Sequence, residues 1–563
     1  MDEMVKTVTE VVRGLFDIDA EVVLTRPEPK FGDYATNVAL ALAGQLGKNP
    51  REIAEQIAAR LRETNEFESV EVAGAGFINM RLSNAYLVRE LDKMLEAPDT
   101  YGRPNAYHDK TVVTEYSDPN PFKVLHVGHL YTSIVGDAIS NLIETAGGEV
   151  HRVNFGGDVG LHVAKTMWAI IEALGGENPK KLAEIPTDQH AKWLGECYVA
   201  GTRAYEDDPT AKTAIVENNR KIYALFKNGD TESPFAQIYW TCRQWSYDYF
   251  NDFYDRIGSK FEKYYPESET AEVGLATVLE QRDKGVYQDS NGAVIFDGEP
   301  YGLHARVFIN SEGLPTYEAK DVGLAMLKWQ DYHFDKSVII TGNEQMDYMK
   351  VVIKSIEQFA PNLAENTLHL THGLVKLAGA EKMSSRKGNF LRAVDVLDLV
   401  ADEYKKAQGQ ADDAAVLGAI KYAFLKNRLG ADLVFEPHES INMTGNSGSY
   451  LQYSHARARS ILRKTDFASS VLAKDVDFDE YERSLVVKLT EWPEVLTAAV
   501  NELAPHVVCT YLYELAQNFN RFYENSRVEG DPRAAIRTRL VAAYADILRG
   551  GLAILGITAP DKM

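Results

Sequence analysis

The segment from Thr111 to Gly160 constrains the fold of this chain more than any other. A β-branched run, TVVTEYS, leads into the loop DPNPFKVLHVGH. Leu130, Ile134, Ala138 and Leu142 then recur at the interval of one helix face. Gly147-Gly148 stops that helix, EVHRVNF supplies a second strand, and GGDVG a second loop. Strand, loop, helix and strand in this order make one βαβ unit of a doubly wound α/β sheet, which takes its ligands at the carboxyl ends of the strands.

At 563 residues the chain exceeds one hydrophobic core, and roughly three or four domains are expected. Residues 1–108 read as a separate α+β unit, with a helix in NPREIAEQIAARL and short strands in SVEVAGAGFINMRL, punctuated by Gly74 and Gly76. The stretch APDTYGRPNAYHDK is a linker. Residues 109–164 form the first half of the nucleotide-binding fold. A mainly helical insertion follows over 165–300, its core packed by Trp168, Trp193, Trp240 and Trp245. Sheet pattern returns in ARVFIN, KSVIIT and TLHLTHGLVKL, around the helix VVIKSIEQF, so 301–395 complete the fold. Residues 396–563 read as an all-helical bundle.

Composition excludes some classes. The net charge of −22 weighs against a nucleic-acid partner, since phosphate neutralisation needs Lys and Arg, although local patches decide. Cys197, Cys242 and Cys509 are far apart, which leaves no CxxC zinc motif or disulfide framework and fits a reducing cytoplasm. No run nears the roughly 18 apolar residues of a membrane span, and the start, MDEMVKTVTE, is not a secretory signal.

Two motifs carry chemistry. His126-Val127-Gly128-His129 stands between a strand and a helix, where free N–H groups favour anions. Two imidazoles one turn apart can donate to charge on a phosphate in transfer, and Gly128 admits a nucleotide close to the backbone. Metal ligation is the rival reading, but no third ligand lies nearby. The second motif is GAEKMSSRKGN, after the strand HGLVKL; Lys382, Arg386 and Lys387 can neutralise departing pyrophosphate, and the alternative is a solvated basic turn. Both motifs follow strands in opposite halves of the sheet, so they can converge on one ATP site that activates a carboxylic acid as its adenylate.

Here the chain resembles the class I aminoacyl-tRNA synthetases, in their arginyl form. The resemblance rests on TEYSDPNPFKVLHVGHLYTSIVGDAISNLIETAGGEVHRVNFGGDVG, on GLPTYEAKD (313–321), TGNEQMDY (341–348) and TGNSGSYLQYSHAR (444–457), and on both ends of the chain. It implies that arginine and ATP give arginyl-adenylate and pyrophosphate, with bound tRNA required, and that the arginyl group then passes to the terminal adenosine of tRNA(Arg). It implies catalytic roles for His126, His129, Lys382 and Arg386. ATP contacts are implied at Gly128, Gly157, Asp158, His372, Gly373, Met383, Ser384 and Ser385. Asp321 with Tyr317 is implied to bind the guanidinium, and Glu115, Asn120 and Gln345 the rest of the amino acid, in keeping with the fit of a carboxylate to a planar guanidinium fork. Mg²⁺ would bridge the ATP phosphates without a protein cage.

Two departures from the family pattern matter. Ser385 replaces a second lysine of the basic loop, and Lys123, three residues before His126, stands where arginyl enzymes carry a compensating lysine. Asp118 replaces a small residue, and Pro121-Phe122 a small aliphatic pair. For tRNA, the bundle offers Tyr450, Tyr453, Arg457 and Arg459, with Arg463 and Lys464, and the N-terminal unit offers Tyr34 and Asn37. Aromatic residues at such spacing, Tyr511 and Phe519 included, are more often bundle core, and Tyr34 and Asn37 read equally as turn formers. The resemblance implies a monomeric cytoplasmic protein.

Three other functions fit the sequence less well. A small-molecule adenylate-forming ligase would lack the basic, aromatic helical C-terminus. A non-catalytic tRNA-binding paralogue would have eroded motifs. A cysteinyl-type synthetase would need zinc thiols.

Overall fold

The computed structural model describes residues 2–378, 391–465 and 476–563. Its centre is a five-stranded sheet in the order Thr367–His372, Lys336–Gly342, Thr111–Glu115, Glu149–Gly156, Lys263–Pro266, with every pair parallel. Helices cover it, so its middle strands are near-continuous apolar runs such as VVTE and SVII. From Thr111–Glu115 the chain builds outward to one edge, then returns to pair Lys336–Gly342 on the other side, with Ile339 opposite Glu115. The connection reverses between these two strands, and a crevice opens above their carboxyl ends.

The helix Val127–Thr145 packs on this sheet through the predicted stripe: Leu130, Ile134, Ala138 and Leu142 are all buried. Behind it the Tyr116 hydroxyl donates to Asp137 over 2.6 Å, which pins the helix to the end of the first strand.

The stretch expected as helical over 165–300 is continuously helical only to Ile257, and the helix Glu267–Asp283 then stands among strands. Lys263–Pro266 returns to the parallel sheet as its edge strand, and Gln288–Ser290, Ala293–Phe296 and Arg306–Ile309 form a separate antiparallel sheet. An edge strand of four residues between two long helices is too short for its alternation to register. ARVFIN therefore lies outside the parallel sheet. So does Val375–Leu377, which pairs with Leu433–Phe435, a strand inside the region expected to be all helix. The inserted helices Leu161–Leu174, His190–Asp207, Pro209–Asn228 and Pro234–Ile257 have their own core, and the four Trp side chains pack against it.

The N-terminal unit is a four-stranded antiparallel sheet with helices, including Pro50–Leu61, and Gly74 and Gly76 stand between its strands Phe67–Ala73 and Phe77–Leu82. It docks on the C-terminal bundle through buried charge. Tyr34, 1% exposed, donates to Glu494 over 2.5 Å, and the Arg26 guanidinium lies 4.0 Å over its ring while bonding the same carboxylate. Asp33 accepts from Arg483 over 2.8 and 3.1 Å. Tyr34 is thus a domain fastener and not a tRNA contact, because its ring and hydroxyl are both spent inside the protein. Among the described residues no helix is long and apolar enough to cross a membrane.

Glu494→Ala leaves Arg26 in the interface without the carboxylate it bonds, and should lower stability by about 2–3 kcal/mol, below the figure for a fully buried pair. Urea unfolding followed by near-UV dichroism checks this; an unchanged midpoint would show that the ion pair does not hold the domains together.

Candidate active site

A cleft of about 1180 Å³ opens at the carboxyl ends of the sheet strands. Its histidine end begins where the backbone turns into the Val127–Thr145 helix. The N–H of Gly128 donates to His126 Nδ1 over 3.0 Å, and the N–H of His126 donates to His129 Nδ1 over 3.1 Å. Each ring therefore accepts through Nδ1, so its neutral form carries the proton on Nε2. The rings lie 3.8 Å apart. Burial and Lys123 pull the His126 pKa down to about 4, and burial, His126 and Lys123 hold His129 well below the usual range. At neutral pH the pair presents N–H donors with no net charge. A Cβ on Gly128 would lie 2.8 Å from the His126 ring, so glycine is needed for this stack. Thr132 reaches across to His372, its hydroxyl 2.7 Å from Nε2, and His372 with Gly373 completes this end of the cleft.

The opposite end is acidic. Glu115 closes the first strand and is paired with Lys328, which also reaches Ser337 over 3.2 Å. Glu267 follows the edge strand and pairs with Lys320 over 2.6 Å. Both lysines come from the helix Tyr317–Tyr332, which also carries Tyr317 and Asp321 to the cleft. Asp321 accepts from the Tyr348 hydroxyl, and burial with Glu115 nearby pushes its pKa up to about 8. Asp118 accepts from the Phe155 N–H over 2.8 Å; burial and Glu115 raise it well above the carboxylate range. These shifts mark carboxyls gathered without a cation to match them. Asn120 accepts from the Gly157 N–H over 2.7 Å, and a Cβ on Gly157 would meet both Asn120 and Glu267 within 3 Å. Gln345 ends a short turn at the rim. Ser117, Asp118 and Phe122 have φ of 75°, 50° and 66°, a cluster of left-handed non-glycine residues that places backbone strain in the loop between strand and histidines.

Comparison with known proteins places the chain in a family. Residues 90–436 match the family model for the catalytic domain of class I (R) tRNA synthetases, 451–563 the DALR anticodon binding domain, and 2–82 the arginyl tRNA synthetase N terminal domain. The chain belongs to the arginyl-tRNA synthetase family. An arginine–tRNA ligase of Clostridium perfringens is 30% identical over 580 residues, 99% of each chain, and one of Porphyromonas gingivalis is 28% identical over the full length of both. The solved arginyl-tRNA synthetase of Thermus thermophilus, 24% identical, matches the fold with a TM-score of 0.78 over both whole chains.

Of the residues singled out for this arginyl-type site, Glu115, Asn120, His126, Gly128, His129, Gly157, Tyr317, Asp321, Gln345, His372 and Gly373 line the cleft. Asp158 does not. It is fully buried behind the loop, where its carboxylate is used up by Arg243 and Ser268, so it is no ATP ligand. Lys123 also stands outside the lining, its ammonium 4.9 Å from the Tyr198 ring of the insertion, and burial lowers its pKa to about 8. Lys382, Met383, Ser384, Ser385 and Arg386 lie outside the described residues; the strand Val375–Leu377 leads from the cleft toward them.

Among the bundle residues, Tyr450 is buried and its hydroxyl accepts from Asn520 over 2.6 Å, which makes it core; Tyr511 and Phe519 are core as well. Tyr453 and Arg457, four apart on the helix Gly448–Lys464, are half-buried, and the Arg457 guanidinium lies 4.8 Å from the Tyr453 ring and 5.3 Å from the Tyr523 ring. Arg459 pairs with Asp561 over 2.9 Å. Asn37 is exposed at the start of the helix Val38–Leu46. Sequence reasoning missed Glu267, Arg306, Thr132 and Tyr348 as cleft residues. Glu267 carried a usable signal, an acid at the first position after a strand, in KYYPES.

His129→Ala should lower the saturated rate of ATP–pyrophosphate exchange by about 10²–10³-fold, the usual loss for one transition-state donor. With both rings neutral, the wild-type saturated rate should show no histidine limb near pH 6.5. Such a limb, abolished by His126→Asn, would contradict the neutral-donor assignment.

Proposed function

We propose that the two ends of this cleft divide the work: the histidine end holds the phosphates of ATP, and the acidic end holds arginine. The enzyme is an arginine–tRNA ligase, joining arginine to tRNA with cleavage of ATP to AMP and pyrophosphate. The observation that carries the division is electrostatic. Neutral N–H donors face one side, and Asp321 with Asp118 faces the other at buried carboxyls that no ion pair matches among the described residues. A guanidinium keeps its proton at any working pH and offers a planar fork, so it ionises Asp321 on entry; a lysine ammonium cannot fill the same geometry. Tyr317 covers the fork, while Glu115, Asn120 and Gln345 orient the α-carbon end.

With arginine so held, a carboxylate oxygen attacks the α-phosphorus and pyrophosphate leaves. Negative charge gathers on the equatorial oxygens, where Nε2–H of His126 and His129 can donate without reorganising. Gly128 and Gly373 admit the nucleotide, His372 supports Thr132, and Lys123 adds its positive field from the flank. Lys382 and Arg386 neutralise the departing pyrophosphate. A ribose hydroxyl of the terminal adenosine of tRNA(Arg) then attacks the arginyl carbonyl, and AMP leaves. Mg²⁺ would enter with ATP and supply charge neutralisation at its phosphates. Asn37 and the Tyr453–Arg457–Tyr523 stack, with Arg459 at its border, are the tRNA contacts we assign. We assign a monomer working in the cytoplasm, where its tRNA and three free cysteines belong.

ATP–pyrophosphate exchange, run with each amino acid with and without tRNA, should be supported by arginine and should depend on tRNA. Exchange with lysine or glutamate in place of arginine would end the substrate assignment, and brisk arginine-dependent exchange without tRNA would end the coupling.

Arginine binding should also be linked to protons. Below pH 8 the free enzyme holds a proton on Asp321 that the guanidinium expels, so affinity should fall as pH falls, by up to about tenfold per unit. Calorimetry at pH 7 in two buffers of different ionisation heat should show net proton release, lost in Asp321→Asn. Equal heats in both buffers would refute the linkage.

A further inference from the structure

The inserted helix Pro234–Ile257 touches the loops around the active site at several points: its Tyr254 and Ser246 hydroxyls meet the Ser117 hydroxyl and the Phe122 N–H, and a third contact falls on Asp158. Its Arg243 donates from Nε over 3.0 Å to one oxygen of Asp158, with a terminal nitrogen in ion-pair contact at 3.0 Å, and its Tyr239 hydroxyl donates to the Asp158 carbonyl over 2.7 Å. Asp158 is fully buried, and its remaining capacity is taken by Ser268, whose N–H and hydroxyl reach it over 2.9 and 2.8 Å. The neighbours of these two partners enter the cleft. Gly157, next to Asp158, donates to Asn120, and Glu267, next to Ser268, faces the same end. One carboxylate thereby fixes two independent arms of the acidic end, and a cation from the insertion stabilises that carboxylate. The guanidinium is itself held, 5.4 Å from the Trp240 ring and 4.8 Å from the Tyr247 ring.

We propose that Arg243 is a positioning residue for arginine, acting through Asp158 to set Asn120 and Glu267, and that this is what the helical insertion contributes to the reaction. Arginine is suited to the place because its Nε–H bonds the carboxylate while its flat, charged face lies near two rings; a lysine supplies charge alone. Without the cation Asp158 becomes an uncompensated buried carboxylate, and the loop must move to hydrate it. That movement displaces Asn120 and the first turn of Glu267–Asp283. The histidine end stays intact, because its hydrogen bonds run among residues 126–132, to His372 and to Leu391, and not to Asp158 or Arg243.

The inference rests on reading the acidic end as the arginine site, and the two fail separately: arginine-dependent exchange by the wild type tests the reading, and variants test Arg243. In tRNA-dependent exchange, Arg243→Ala should raise KM for arginine about tenfold or more, leave KM for ATP and kcat within about twofold, and be partly restored by Arg243→Lys. Asp158→Asn should reproduce the same selective rise. Ile215→Ala, which loosens the insertion core without touching Asp158, should lower the melting temperature and leave KM for arginine unchanged. A loss shared equally by both substrates, a KM change in Ile215→Ala as large as in Arg243→Ala, or a fall in melting temperature alone for Arg243→Lys and Asp158→Asn would overturn the proposal.

Discussion

The helix Tyr317–Tyr332 holds the chemistry of this enzyme together because it carries both cations that make a buried acidic site tolerable. Lys328 neutralises Glu115 at the end of one strand, and Lys320 neutralises Glu267 at the end of another. Two buried ion pairs of this kind add little to stability on their own, since desolvation offsets much of their attraction. Their value is geometric: each fixes a carboxylate at the end of a parallel strand and aims it at the switch point. The same helix leaves Asp321 without a cation. What remains after the pairs are made is a deficit of positive charge shaped to a guanidinium.

Segregation of charge within the cleft follows. At the histidine end the protein lines the cleft with oriented neutral imidazole and backbone N–H groups, each fixed by a bond to a neighbouring group, and Lys123 stands at the flank. At the amino-acid end it concentrates carboxyls until burial raises the pKa of Asp118 and Asp321. Phosphates and guanidinium carry opposite charge, so the gradient orients both substrates before any contact forms. The strained turn at Ser117, Asp118 and Phe122 separates the two regimes over a few residues.

Much of this was legible in the sequence because the relevant signals are local. The strand–loop–helix–strand unit and the histidine pair sit in short contiguous patterns, and Glu115, Asn120, Asp321 and Gln345 were named through the family resemblance of the short stretches that hold them. What was illegible depends on partners far along the chain. Tyr34 looked like a surface aromatic until Glu494, 460 residues later, used its hydroxyl. Asp158 looked like a phosphate-loop acid because Arg243 lies 85 residues on. Tyr450 and Tyr453 share one helix, and only packing decides that the first faces inward. Lys263–Pro266 is simply too short for its period to be counted.

The long interval between pairing partners also bears on how the chain comes off the ribosome. Glu115 meets Lys328 only 213 residues after it is made. At about 5–20 residues per second this is roughly ten to forty seconds during which the first strand has one unmated edge and an uncompensated acid. The helices inserted between the two halves have a hydrophobic core of their own, so they can fold during that interval instead of adding another unsatisfied surface. A split catalytic domain is then a problem of timing as well as of topology, and the insertion occupies the pause.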